Sequence, residues 1–170
     1  LVGATANPGI AISIRQSNVN ITNTLIVSHT TAISRTGGTG SAREAFNLFY
    51  ANTANLNGSI VSGGGSITAT GGAVTATGTT INVMTASAGT SLGMTATTGD
   101  LTLGTGNAGT TASLGTGAGD VIVTSSLTSG QAATVTSASD ARLANVTAMT
   151  GDVTVMAAGE VSGIGAGNAN

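Results

Sequence analysis

Apolar and polar residues alternate along most of this chain in short runs, and the runs recur every twenty residues. Written in rows of twenty from Val61, one column reads Val61, Ile81, Leu101, Val121, Ala141, Val161. Two places on, a second column reads Gly63, Val83, Leu103, Val123, Leu143, Gly163. Alternation with a period of two marks a strand with one buried face. The column before these holds Thr80, Asp100, Asp120, Asp140 and Glu160, and the one before that holds Thr79, Gly99, Gly119, Ser139 and Gly159. The row therefore reads Gly-Asp, then apolar-x-apolar, as in Gly99-Asp100-Leu101-Thr102-Leu103 and Gly119-Asp120-Val121-Ile122-Val123. It returns out of phase as Gly151-Asp152-Val153-Thr154-Val155. A further apolar column, Val74, Met94 and Leu114, holds for three rows and then slips, with Val135 one place late.

Self-similarity at such a period predicts a solenoid, each coil laying short strands about 4.8 Å above those of the coil below. The expected fold is all-β, a right-handed parallel β-solenoid with coils of about twenty residues, roughly eight in all. Residues 61–170 are its regular part. Residues 1–60 are read as irregular N-terminal coils of the same continuous domain, with strand-like runs at Ile10-Ala11-Ile12-Ser13-Ile14, Val19-Asn20-Ile21 and Leu25-Ile26-Val27. One segment breaks the pattern. Ser41-Ala42-Arg43-Glu44 has the form of a capping box, and Phe46, Phe49 and Tyr50 follow at helical spacing. A short helix or turn is predicted near residues 41–51, with these three aromatics sealing an end or flank of the solenoid or forming a contact patch.

Composition agrees with a thin interior. The chain has 27 glycines, one proline, no cysteine and no tryptophan, and only 6% of its residues are charged. A coil of this length encloses a few branched aliphatics per layer, with Gly, Ser, Asn and Asp at its corners. Charge is scarce because stacked positions repel when they carry the same sign. Four arginines and no lysine cannot neutralise a phosphate track, so nucleic acid is excluded as a partner. No run of 18 apolar residues offers a membrane-spanning helix, so no membrane insertion is expected. A start at Leu1 suggests a processed form or a fragment.

Chemistry has few carriers. His29, the single histidine, stands between hydroxyl residues in Ser28-His29-Thr30 and reads as a surface or turn residue. The acidic column is the sharpest feature: Asp100, Asp120, Asp140 and Glu160 fall at one corner of successive coils, a candidate oxygen-only calcium site. Gly-Asp is equally good turn chemistry on its own. Arg142, two places after Asp140, reads as the partner in an exposed ion pair. Carboxylates beside an arginine also resemble the grooves of polysaccharide lyases. Those gather several basic residues on long loops, which 61–170 lack, so no enzyme activity is expected. Threonine recurs at Thr70, Thr90, Thr110 and Thr150, and as Thr-x-Thr at Thr68/Thr70, Thr75/Thr77 and Thr95/Thr97, the pattern of an ice-binding solenoid. In a fixed frame of twenty the counterparts of Thr75 and Thr77 become Gly115 and Gly117, then Val135 and Ser137, which breaks that lattice. Asn20, Asn57 and Asn145 open glycosylation sequons.

The unit Gly-Asp-Val-Thr-Val, with Ser/Thr/Ala/Gly filler and a period near twenty, resembles the repeats of filamentous-haemagglutinin-like exoproteins over about 110 of the 170 residues. The resemblance implies a secreted bacterial β-helix at the cell surface that acts in adhesion, aggregation or biofilm. The expectation is a structural subunit of an extracellular filament or surface adhesin, self-associating end to end as a homopolymer. Cell-surface or matrix glycans are the candidate targets, and no cofactor other than calcium is implied. A pilin-like β-sandwich assembled by donated strands and an ice-binding β-solenoid are the alternatives.

Overall fold

The structure is a computed structural model. It describes residues 2–3, 9–15, 19–35, 42–45, 47–50, 54–58, 60–62, 65–69 and 72–163. These form a parallel β-solenoid in which the strand pairs are parallel and each strand hydrogen-bonds to its counterparts in the neighbouring coils. The fold expected from the twenty-residue period is thus present.

The coil from Leu101 to Asp120 shows the course. Leu101–Leu103 lies on the first of three sides, the alternation breaks at Gly104, and Thr105–Ala108 lies on the second side. A corner at 109–111 leads to Ala112–Thr116 on the third side, and 117–120 turn back to the first. Sides one and two belong to a ten-stranded sheet and side three is an eight-stranded sheet. In the N-terminal coils the first two sides separate. Val19–Thr22, Ala42–Ala45 and Ile60–Ser62 form their own three-stranded sheet, while Leu25–Val27, Asn47–Tyr50 and Gly65–Ala69 continue the large one.

The interior is as narrow as the composition requires. Ile81, Leu101, Val121 and Ala141 stack in register and are fully buried, and Val83, Leu103, Val123 and Leu143 form the column beside them. Eleven of the thirty buried apolar residues among those described are alanine, so a small side chain must often face a large one. Gly106 shows how. A Cβ there would come within 2.8 Å of methyls of Leu103 and Leu127 and 3.2 Å of one of Leu92, so the leucines already occupy its space. Each such leucine contributes about 1.5–3 kcal/mol by leaving water.

Side three corrects the assumed frame. Val74 pairs with Leu92, and Ala76 with Met94, so Val74 does not belong with Met94 and Leu114. Coil length is not constant, because a corner gains or loses a residue without disturbing the strands it joins. The late Val135 has the same origin. Leu103 pairs with Val123 but Thr105 with Ser126, so Thr124 and Ser125 together oppose Gly104 in a one-residue bulge. Leu114 then meets Val135, and the shorter corner at 138–140 restores the frame, so that Val121 pairs with Ala141. The corner at 149–152 takes one more residue, which puts Gly151-Asp152 ahead of side three rather than side one.

The helix or turn predicted near 41–51 is replaced by two strands, Ala42–Ala45 and Asn47–Tyr50. A helix of two turns is marginal by itself, because nucleation fixes several dihedrals for one hydrogen bond. The coils on either side offer strand partners instead: Ala42 pairs with Val19 and Ile60, and Phe49 with Ile26 and Ile67. Ile26 and Ile67 are buried, so Phe49 shares the register of a core column. Phe46 lies outside the described residues. His29 is buried at 6% exposure rather than on the surface, in the corner after Ser28, whose φ of 59° is left-handed.

Candidate functional site

The acidic corner is where the sequence concentrated its chemistry, and the structure brings Asp100, Asp120, Asp140 and Glu160 into one ladder. The amide of Asp120 donates to Oδ1 of Asp100 at 2.9 Å, that of Asp140 to Oδ1 of Asp120 at 3.0 Å, and that of Glu160 to Oδ1 of Asp140 at 2.9 Å. In the other direction, Leu101, Val121 and Ala141 donate to the carbonyls of Asp120, Asp140 and Glu160 at 2.9, 3.0 and 2.8 Å. The carboxylates of Asp100, Asp120 and Asp140 therefore each satisfy a backbone amide of the next coil at a bend.

At two of the three rungs a glycine sits against the same contact. A Cβ on Gly119 would meet Asp100 Oδ1 and the backbone of Gly99, and one on Gly159 would meet Asp140 Oδ1. Above Asp120 the place is taken by Ser139, whose side chain bonds the carboxylate instead. Inside this corner, Thr116 Oγ1 donates to the Gly119 carbonyl at 2.6 Å and Ser137 Oγ to the Asp140 carbonyl at 2.7 Å. These buried hydroxyls answer carbonyls that the bend turns inward.

Arg142 forms the ion pair expected of it and extends it over two coils. Its Nη2 lies 3.3 Å from Asp140 Oδ2 and 3.2 Å from Asp120 Oδ2. The Asp120 carboxyl is held below the ordinary Asp value of 3.8 by the amide of Asp140 first and then by the Ser139 side chain, with burial opposing them and the Arg142 charge adding the smallest effect. With one oxygen of Asp120 and of Asp140 on an amide and the other on Arg142, the acidic column is engaged in holding the bend. Among the described residues no three His, Cys, Asp or Glu side chains are grouped so as to hold a metal ion.

The opposite corner satisfies its amides through the backbone, with the Thr150 hydroxyl donating to the Gly130 carbonyl at 2.8 Å and the Ser129 hydroxyl to that of Gln131 at 3.2 Å. The amides of Gly89, Gly109 and Gly130 donate to the carbonyls of Ala69, Ala88 and Ala108 at 2.8, 3.0 and 3.0 Å. Thr90 and Thr110 stack here, since the amide of Thr110 donates to the Thr90 carbonyl at 2.9 Å. Gln131 continues that column, its amide on the Thr110 carbonyl at 2.7 Å, so the threonine recurrence is a corner feature and not a face. An open depression of about 330 Å³ lies between this corner and side two, lined by Ala88, Asn107, Ala108, Gly109, Thr128, Gly130 and Met149.

The Thr-x-Thr pairs need recounting in the true register. Thr75 and Thr77 pair with Gly93 and Thr95, these with Ser113 and Gly115, these with Thr134 and Thr136, and these with Thr154 and Met156. The counterparts read in the fixed frame, Gly115/Gly117 and Val135/Ser137, are therefore incorrect. Side two is more regular still. Its triplets Ser66-Ile67-Thr68, Thr85-Ala86-Ser87, Thr105-Gly106-Asn107, Ser126-Leu127-Thr128 and Asn145-Val146-Thr147 stack in register. The central residues are buried, and the flanking ones are exposed or half-exposed. Sequence reasoning missed this surface because Ser66, Thr85, Thr105, Ser126 and Asn145 stand 19, 20, 21 and 19 residues apart. A polar-x-polar triplet placed a few residues after each apolar-x-apolar strand of side one was the signal that marked it.

No protein-family model matches the chain, and neither a curated protein nor a solved structure gives a significant match.

Proposed function

We propose that the protein is a structural subunit of an extracellular bacterial filament or surface adhesin, built by end-to-end stacking of β-solenoid coils. The observation that carries this reading is the in-register parallel stacking of side three, from Val74–Gly78 through to Val153–Ala157, each strand hydrogen-bonding to the next along the axis. A strand of a second copy laid on Val153–Ala157 in the same register would continue that pairing, which is β-augmentation along the solenoid axis. The resemblance of the Gly-Asp-Val-Thr-Val unit to filamentous-haemagglutinin-like repeats supports an exported, adhesive role, with self-association first and surface glycans as targets. A pilin-like sandwich is set aside, because the fold is a parallel solenoid.

Electron microscopy of the purified chain over a range of concentrations tests this. Fibres about one solenoid wide are expected, with strands spaced about 4.8 Å along the axis. Val155→Lys, placing a charge in the layer to be covered, shortens or abolishes them, whereas Thr102→Lys on side one does not. Monomers at every concentration overturn the proposal.

A further inference from the structure

We infer that side two is an ice-binding face, on which five stacked polar-x-polar triplets present an array in register to frozen water. The outward positions are Ser66, Thr85, Thr105, Ser126 and Asn145 in one column and Thr68, Ser87, Asn107, Thr128 and Thr147 in the next. Every triplet carries at least one threonine, and all ten groups are hydroxyls or amides without a formal charge.

The geometry decides the ligand class. Parallel strands set the columns' rungs about 4.8 Å apart, and residues two apart on a strand lie about 6.6 Å apart. The result is a two-dimensional lattice with repeats in the range of oxygen spacings on ice crystal faces. Threonine is β-branched and stiff at χ1, so its hydroxyl and methyl are held before water arrives. Fixing an ordered water costs up to about 2 kcal/mol of entropy, a cost reduced when neighbouring waters are already in a crystal. Other surfaces fit the array less well. A glycan sheet calls for aromatic stacking, yet the two phenylalanines and one tyrosine of the chain stand at 46, 49 and 50, outside these triplets. Nucleic acid calls for cations, and the four arginines stand at 15, 35, 43 and 142. Side three carries part of the same chemistry, but Gly93, Gly115 and Met156 interrupt it. Side one is mixed: Asn82, Thr102, Ile122 and Arg142 follow one another in register.

This inference does not depend on polymerisation. Fibres are scored by microscopy and ice binding by partition of the chain into a slowly growing ice crystal, so either property is lost or kept separately. The native chain is expected to enter the ice. Thr105→Lys and Thr128→Lys are expected to be excluded from it, whereas Thr102→Lys on side one and Thr136→Lys on side three enter like the native chain. Circular dichroism checks that each variant keeps its β spectrum. If a lysine variant unfolds, Thr128→Gln, uncharged but long enough to stand above the neighbouring rungs, is expected to lose partition while remaining folded. Exclusion of the native chain from ice, retention by folded Thr128→Gln, or equal losses on all three sides would overturn the assignment.

Discussion

The two corners that bound side three solve one problem in opposite ways. At both, the chain changes direction and the amides above must still find acceptors below. At the glycine corner the backbone supplies the acceptors, Gly109 donating to Ala88 and Gly130 to Ala108 at 3.0 Å, and the cost is that no Cβ fits at these two positions. A Cβ on Gly109 would meet the Gly89 carbonyl, and one on Gly130 the Gly109 carbonyl. At the acidic corner a carboxylate of the coil below reaches up to the amide, so the bend holds through a side chain and a charge. The first corner is a steric device and the second an electrostatic one. They should fail under different insults.

The largest separation comes from adding bulk. Gly109→Val drives a branched side chain into the backbone of the coil below, which cannot move without breaking its own pairing. A loss of about 3 kcal/mol is expected in urea unfolding. Gly115→Ala on side three is the control: its nearest neighbour would be the Thr136 carbonyl at 3.9 Å, and the midpoint should move by less than about 0.5 kcal/mol. Equal losses from the two would show that glycine is needed for backbone flexibility throughout and not for close stacking at the corner. The next effect is chemical. Asp140→Ala removes the acceptor for the Glu160 amide and should cost about 1 kcal/mol, while Asp140→Asn keeps an acceptor oxygen and recovers most of it.

The contrast between the corners also explains what the sequence made legible. The acidic ladder was readable because an acid recurs at evenly spaced positions, after a small residue each time, where the carboxylate is needed by the amide of the next coil. The glycine corner was not, because its chemistry is backbone chemistry and leaves only small residues behind. The side-three register was misread, and the side-two surface missed, for a related reason: the joins between strands absorb single residues, as at 124–125, 138–140 and 149–152, so a fixed frame of twenty drifts off the strands while the acids stay in phase. The helix predicted near 41–51 failed on a different scale. Its local signals were real, but the stacking of Ala42 between Val19 and Ile60 is long-range and invisible in a seven-residue window. Burial of His29 belongs with it, since nothing local distinguishes a corner that faces inward.

Acid should act on one corner and spare the other. The Asp120 carboxyl is held below its ordinary value of 3.8, chiefly by the Asp140 amide, so the folded state favours its charged form. The stability this confers is complete above the unfolded value and is lost as pH falls through the lowered folded value. Urea midpoints measured from about pH 6 down to about pH 2 should therefore fall in the native chain and fall less steeply in Asp120→Asn. Gly115→Ala should follow the native curve. A slope unchanged in Asp120→Asn would place the acid sensitivity outside this ladder.

Arg142 gives the smallest effect and the finest distinction. Its guanidinium is 55% exposed and shares Nη2 between Asp120 and Asp140, so each pair is screened by water and salt. If hydrogen bonds to amides hold the acidic corner, Arg142 merely offsets repulsion between stacked carboxylates. Arg142→Gln should then cost about 0.5 kcal/mol at low salt and nothing measurable near 1 M salt. Asp140→Ala should keep its larger cost under both conditions, because the bond to the Glu160 amide does not depend on a distant charge. A double-mutant cycle between the two positions isolates their coupling, which should vanish with salt while the single effect of Asp140 remains. If Arg142→Gln instead costs as much as Asp140→Ala and both effects disappear together in salt, the corner is held by the ion pair, and the carboxylate-to-amide ladder is a consequence of stacking rather than its cause.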